Sequence, residues 1–299
     1  MGRYRLTSNI ALTVFQGLAG DHNNLGIPGA ASLGDMLAAR LGAVVTCIGS
    51  PGPALSMDWE PELKAALSAL RLMEKQLDSI FRQGQVPVTA LSRCAVSLST
   101  LPVVARHRPE VCVVWFDAHA DLNTPDTTTS GYLGGLALSG PLGLWDTGLG
   151  AGLRGENVVL VGARDIDPPE QALIDAGLVR WVQCGPDLAN RLRDAVAGRP
   201  VYVHLDCDVL EPGIVPTEFK APGGLSLADL YATAELLAMH EVVGLEISEF
   251  QSVWEEGEEP VSPANLIDAL QPLLDRLQIA SPQRAPLPNS QAPESGKTS

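Results

Sequence analysis

The chain has 299 residues, of which 45% are hydrophobic and 18% charged, the composition of a soluble globular protein with a sizeable core. Its formal net charge of −15 repels nucleic acid and anionic membranes and favours metal ions or basic small molecules. No continuous apolar run is long enough to cross a bilayer, so no membrane association is expected.

The opening stretch "MGRYRLTSNIALTVFQG" carries two arginines ahead of an apolar run. That run is short and leads to no small-residue cleavage site, so it reads as a first strand, "IALTVFQ" from Ile10, rather than a signal peptide. A helical stretch starts near Ala30 and is followed by a strand, "AVVTCIG" from Ala43. The next helix runs from Glu60, with Pro61 in its first turn and an apolar face of Leu63, Leu67, Leu70, Leu77 and Ile80. "VPVTAL" from Val86, a helix near Ala95 and "VCVVWFD" from Val111 follow. "SGPLGLWDTGLGAGLRGEN" from Ser139 is a Gly-rich excursion, either a helix with loops or part of a rim around a site. The alternation then resumes with "VVLVGA" from Val158, a helix near Glu170, "LVRWVQ" from Leu178 and a helix near Pro186. It ends with "PVYVHLD" from Pro200, a helix near Ser226, "VVGLEIS" from Val242 and a helix near Pro263.

The strand-like runs lack polar alternation, as in strands buried on both faces of a parallel sheet. Regular strand–helix alternation implies a three-layer α/β/α sandwich around a mostly parallel, roughly eight-stranded sheet with right-handed crossovers. No repeat or interdomain linker interrupts it, so residues 1–280 are expected to form one domain. The tail "SPQRAPLPNSQAPESGKTS", residues 281–299, has the composition of a disordered terminus. Five cysteines, Cys47, Cys94, Cys112, Cys184 and Cys207, form no disulfide framework, and several lie in apolar runs; a reducing compartment, the cytoplasm, is expected.

In such a sheet ligands sit beyond the carboxyl ends of the strands. There "VVWFDAHADLN" places Asp117, His119 and Asp121 two residues apart, and an extended backbone would turn all three to one face. "HLDCDVLEP" repeats the pattern with Asp206 and Asp208. Four carboxylates brought together at one sheet edge repel and shift one another's pKa values unless cations neutralise them. A lone Asp-x-Asp after a strand often only caps the next helix, but two in one sheet point to divalent metal. Oxygen donors with one imidazole suit manganese better than zinc, and there are enough of them for two ions. Two metals would bring a shared water to hydroxide near neutral pH. His107, in "ARHRPE", reads as a surface residue at a helix end, and His22 and His240 belong to no constellation.

These motifs resemble those of the ureohydrolases, the family of arginases, agmatinases and formiminoglutamases. The family's DAHxDxN stands here as "DAHADLN", followed by "TPDTTTSG". Its SxDxDxxDP corresponds to "HLDCDVLEP", with His204 for the serine and Glu211 for the last aspartate. The resemblance continues through "GARDIDPPE" and "GLEISEF", and so covers most of the chain from the third strand onward. It implies an arginase-like fold, trimers or hexamers, a small-molecule substrate and a binuclear manganese site whose hydroxide attacks a guanidinium carbon. Asp117, His119, Asp121, Asp206 and Asp208 match five of the family's six ligands. By the same matching Asp121 orients the hydroxide, Glu249 faces the guanidinium, and Asn123, Ser130 and Asp167 hold the amino-acid end of the substrate. Asp167 reads equally as the N-cap of the helix in "DIDPPE".

Three departures bear on the substrate. Where the family reads GGDHS, "TALSRCAVSLS" puts Cys94 at the position of the sixth ligand, a histidine, and Arg93 at the aspartate. A thiol at a helix start beside a cation is expected to have a lowered pKa, allowing a thiolate ligand that is soft for manganese and leaves one metal site weaker. The alternative is a buried, inert cysteine. A cysteine at this position also resembles the hydroxyarginine hydrolases, which release hydroxyurea and ornithine. Gly134, in "SGYLGG", stands where arginases carry a histidine proton shuttle, and Tyr132 replaces an asparagine. His204 could partly replace the shuttle or serve in packing. A hydroxyguanidine is less basic than a guanidine and demands less of proton delivery, which suits the missing histidine. The expected activity is therefore an amidinohydrolase acting on N-hydroxyarginine or arginine. The alternatives are an agmatinase or formiminoglutamase activity, a nucleotide-sugar transferase using "DCD", or a non-catalytic descendant of the fold. The intact "DAHADLN" and the lack of a nucleotide-binding element oppose the transferase.

Overall fold

The computed structural model describes residues 9–279; the tail expected to be disordered, 281–299, lies outside the described residues. Each of the apolar runs forms a strand: β1 (Ile10–Phe15), β2 (Val45–Ile48), β3 (Val86–Ala90), β4 (Cys112–Phe116), β5 (Val158–Val161), β6 (Arg180–Val182), β7 (Val201–Asp206) and β8 (Val242–Ser248). The helices are α1 (Gly26–Leu41), α2 (Trp59–Arg82), α3 (Ser97–His107), α4 (Pro168–Asp175), α5 (Leu188–Val196), α6 (Leu227–Ala238), α7 (Ala264–Ala269) and α8 (Gln271–Gln278). The strands make one eight-stranded sheet in the order β2-β1-β3-β8-β7-β4-β5-β6. Every neighbouring pair is parallel, so the mostly parallel sheet expected from the sequence is wholly parallel among the described residues.

Burial on both faces is what makes the runs continuous. Along β4, Cys112, Val114 and Phe116 join a core that includes Leu33 and Leu37 of α1, Leu192 of α5, Leu230 of α6 and Leu274 of α8. The alternate residues Val113 and Trp115 join the opposite core with Leu101 and Val104 of α3. Each such leucine, fully buried, contributes about 1.5–3 kcal/mol, so a polar residue at any of these strand positions would lose one side of the sandwich. Helix α2 shows the matching logic: Leu63, Ala66, Leu70, Met73, Leu77 and Ile80 are buried along one stripe, while Glu60 near its start and Arg82 near its end complement the helix dipole.

The chain crosses from β3 through α3 to β4 and leaves between them the places later filled by β8 and β7. Four adjacent strands, β3, β8, β7 and β4, therefore end side by side. The Gly-rich excursion after Ser139 contains no α-helix. It braces the segment after β4 instead: Asp121 accepts backbone hydrogen bonds from Leu138 at 3.0 Å and Ser139 at 3.1 Å, and the Ser139 hydroxyl donates to the Asn123 carbonyl at 2.5 Å. The five cysteines are all free, and no helix of the described residues is long and apolar enough to cross a membrane.

Candidate metal centre and active site

The carboxyl ends of the four central strands deliver the acidic residues to one place. Asp117 follows β4, Asp206 ends β7 with Asp208 two residues on, Glu249 follows β8, and Cys94 opens a short turn after β3. Ligand atoms of Cys94, Asp117 and Asp121 lie within 4.8 Å of one another, as do those of Asp117, His119 and Asp208, and those of Cys94, Asp206 and Glu249. All six residues expected to ligate metal are thus brought together, with Asp117 common to two of the groups.

The backbone reaches this arrangement by turns and not by strand alternation. β4 stops at Phe116, and Asp121 lies in the left-handed region with φ 52°, so the extended segment expected from Asp117 to Asp121 is absent. Both acidic pairs instead use one local device, a carboxylate accepting from the backbone N–H two residues later. Asp117 Oδ1 accepts from His119 N at 2.6 Å, and Asp206 Oδ1 accepts from Asp208 N at 2.7 Å. Trp115 Nε1 donates to the other Asp117 oxygen at 3.0 Å, and Ala118 N donates to Asp208 at 3.0 Å. Asp117 is thus held at both oxygens, and each carboxylate oxygen, with two lone pairs, keeps acceptor capacity beyond the bond that fixes it.

Electrostatics make this cluster suited to hold cations. Asp117, Asp121, Asp206, Asp208 and Glu249 are all buried, and the side-chain cations paired with them are His119 and Arg93. Burial, reinforced by neighbouring carboxylates, pushes Asp121 and Asp206 well above the usual carboxylate range. Burial and Asp208 raise Asp117 as well. Burial would raise Asp208, but the hydrogen bond and charge of His119, together with the bond from Ala118 N, hold it low. For His119, burial opposes the charged form, but Asp117 and Asp208 win and hold its pKa raised. Burial lifts Glu249 to about 7, against the lowering influence of Arg93. A donor set of buried carboxylate oxygens, one imidazole and one thiol, carrying this much uncompensated negative charge, fits divalent cations.

Cys94 departs from expectation. Its thiol pKa is raised, first by burial and then by Asp206 and Glu249, because Arg93 turns its charge away and carboxylates surround the sulfur. The thiol touches Asp206 Oδ2 at 2.9 Å, Ser248 Oγ at 3.0 Å and His204 Nε2 at 3.3 Å. His204 is fully buried, stacks on Trp115 with ring centroids 3.5 Å apart and meets Glu246 at 2.8 Å. It lies beneath the site and does not line its cavity, so it does not replace the missing shuttle.

A cavity of about 190 Å³ opens over the cluster, room for one ligand of amino-acid size; among its lining residues are Cys94, His119, Asp121, Asn123, Ser130, Tyr132, Asp167 and Glu249. Asn123 donates to Asp167 at 2.8 Å, and Asp167 is at once the N-cap of α4 and a wall of the cavity. Ser130 is exposed at the rim. Sequence reasoning missed Glu170, a buried lining residue that accepts from Leu122 N and Asp167 N at 2.8 and 2.9 Å; the Asp-x-x-Glu spacing in "DPPE" was the available signal. The space for a side chain at Gly134 is already filled: a Cβ there would lie 2.3 Å from Cε1 of the Tyr132 ring. Tyr132 thus occupies the room that a residue at 134 would need, and its hydroxyl donates to Glu249 at 3.3 Å.

Comparison with known proteins agrees with this geometry. The Arginase family model matches residues 39–266. The chain is 39% identical over 266 residues to N(omega)-hydroxy-L-arginine amidinohydrolase from Streptomyces lavendulae, an alignment covering 89% of this chain and 97% of that protein. Arginase from Bacillus caldovelox shares the fold with a TM-score of 0.74 at 22% identity, covering 89% of this chain and 97% of that one. Proclavaminate amidino hydrolase from Streptomyces clavuligerus does so with a TM-score of 0.69 at 20% identity, covering 90% and 91%. The cluster of buried acids at the carboxyl edge of a parallel sheet and the match over most of its length place this chain in the arginase family, as an amidinohydrolase.

Proposed function

We propose that this chain hydrolyses the hydroxyguanidino or guanidino group of an arginine-like amino acid, N-hydroxyarginine before arginine, using two manganese ions. Water adds at the guanidino carbon, the bond from that carbon to the substrate's δ nitrogen breaks with a proton delivered to that nitrogen, and hydroxyurea or urea leaves ornithine behind. Asp117, Asp121, Asp206, Asp208, His119 and Cys94 would hold the ions. Bound there, the pair would supply activation of a water near neutral pH. Manganese suits the set because its donors are mainly carboxylate oxygens.

The chain's own residues divide the remaining work. Asp121 orients the attacking water and accepts its proton, Glu249 faces the reacting group, and Asn123, Ser130 and Asp167 hold the amino and carboxylate end across the cavity. The observation that carries this reading is the meeting of Cys94 with Asp117, Asp121 and Asp206, in a chain whose relative over nearly its whole length is a hydroxyarginine amidinohydrolase. The test is to offer manganese-loaded protein arginine, N-hydroxyarginine, agmatine and formiminoglutamate, and to measure urea, hydroxyurea and formamide. Hydroxyurea from N-hydroxyarginine is expected to form fastest; formamide or agmatine-derived urea as the main product would move the chain to another branch of the family.

A further inference from the structure

Arg93 is among the largest fully buried side chains of the protein and has no place in the proposed ligand set. Its Nε donates to Asp21 at 3.0 Å, and its Nη1 donates to Glu218 at 2.6 Å and to Glu249 at 2.9 Å. Its Nη2 donates to Asn23, at 3.1 Å to the side chain and 3.4 Å to the carbonyl. Asp21, Glu218 and Arg93 do not line the cavity, whereas Glu249 does. Arg93 therefore grips Glu249 from the side away from the substrate.

The other donors to Glu249 complete the picture. Its Oε1 accepts from Cys94 N at 2.8 Å and from the Tyr132 hydroxyl at 3.3 Å, and its Oε2 is the oxygen held by Arg93. An ionised carboxylate offers about four acceptor sites, so three donors leave room for roughly one more. A guanidinium is held best by two parallel N–H bonds to both carboxylate oxygens, a grip this carboxylate can no longer give. The arginine guanidinium is also always charged, and here it would approach Glu249 with the Arg93 guanidinium already 2.9 Å from Oε2. Arg93 shares its charge with Asp21 and Glu218, but two cations on one carboxylate still repel in a buried setting.

We infer that Arg93 is a specificity-determining positioning residue: by occupying Glu249 from behind, it favours a weakly basic hydroxyguanidine over a fully cationic guanidinium. The inference rests on the amidinohydrolase reading. Asp21 and Glu218 fix the position of Arg93, so their role is to hold the device in place.

Manganese-loaded wild type, Arg93→Gln, Arg93→Lys and the double variant Asp21→Asn/Arg93→Gln would be compared with arginine and N-hydroxyarginine. The double variant removes one acid together with the cation, in case Arg93→Gln alone fails to fold. Two readouts are taken, the ratio of kcat/KM for the two compounds and the calorimetric Kd for each. Loss of the positive charge is expected to lower the preference for N-hydroxyarginine at least tenfold, through tighter arginine binding, while Arg93→Lys stays closer to wild type. Folded, metal-loaded variants whose Kd ratio stays within twofold of wild type would overturn the inference. Absence of turnover in the wild type would instead refute the proposed function, and the Kd ratio would still report on Arg93.

Discussion

Cys94 brings one sulfur into a set of carboxylate oxygens, 2.9 Å from Asp206, and a hard ion gains less from it than from an imidazole. In equilibrium dialysis against manganese, Cys94→His is expected to retain the weaker of the two ions at free metal lower by on the order of tenfold; superimposable curves would put Cys94 outside the ligand set. Gly134 supports a packing prediction. Because a Cβ there meets the Tyr132 ring at 2.3 and 2.8 Å, Gly134→Ala should destabilise the fold by about 1–3 kcal/mol in urea titration, and by less when Tyr132 is also alanine. An equal loss in both backgrounds would separate the two residues. The residues of the acidic cluster were legible because their chemistry is written in residue type and spacing. Arg93 was legible only as a departure. Its partners Asp21 and Glu249 are 72 and 156 positions away in sequence, and such pairing becomes visible only when strands are placed side by side. The thiol expectation failed for the same reason, since the adjacent cation in sequence is not the neighbour in space.

At the scale of elements, all eight strands could be read from apolar runs, although the edge strands β2 and β6 are only partly buried, and α2 from its apolar stripe. The turns beyond the strand ends could not. Asp-x-His and Asp-x-Asp have the period of a strand, yet the same spacing lets a carboxylate accept from the N–H two residues on, and that local bond turns the chain. The brace on the β7 turn was also hidden. Arg164, between β5 and α4, donates to the carbonyls of Asp208 at 2.9 Å, Val209 at 3.2 Å, Leu210 at 3.3 Å and Ala221 at 2.8 Å. Glu211 adds bonds from Gly223 N and Gly224 N, each at 2.8 Å, which gives the altered end of the second signature a structural role. Arg164→Ala leaves several carbonyls without their charged donor and is expected to lower stability by about 1–3 kcal/mol. It should also weaken metal retention, because Asp208 sits in the turn it holds. Unchanged denaturation and metal titrations would mean that the turn holds its shape without Arg164.

For the molecule as a whole, the acidic cluster sets the dependence of stability on pH. Glu249, raised from 4.5 to about 7, takes up a proton more readily when folded, so its contribution is full below about pH 4.5 and is lost as pH rises toward 7. His119, also raised, contributes fully below its unfolded value near 6.5 and loses ground above it. Both act in the same direction, as does the net charge of −15. Metal-free protein is therefore expected to melt at a lower temperature at pH 8 than at pH 5. Manganese, which needs deprotonated ligands, should raise the melting temperature more at pH 8. A metal-induced shift that shrinks as pH rises would contradict the electrostatic account. The central claim is that these acids and Cys94 form a two-ion site for hydrolysing a hydroxyguanidino group. Its most direct test is hydroxyurea release from N-hydroxyarginine, measured against manganese bound per chain. Release should rise steeply as occupancy goes from one ion to two; two bound ions per chain without hydroxyurea would contradict it.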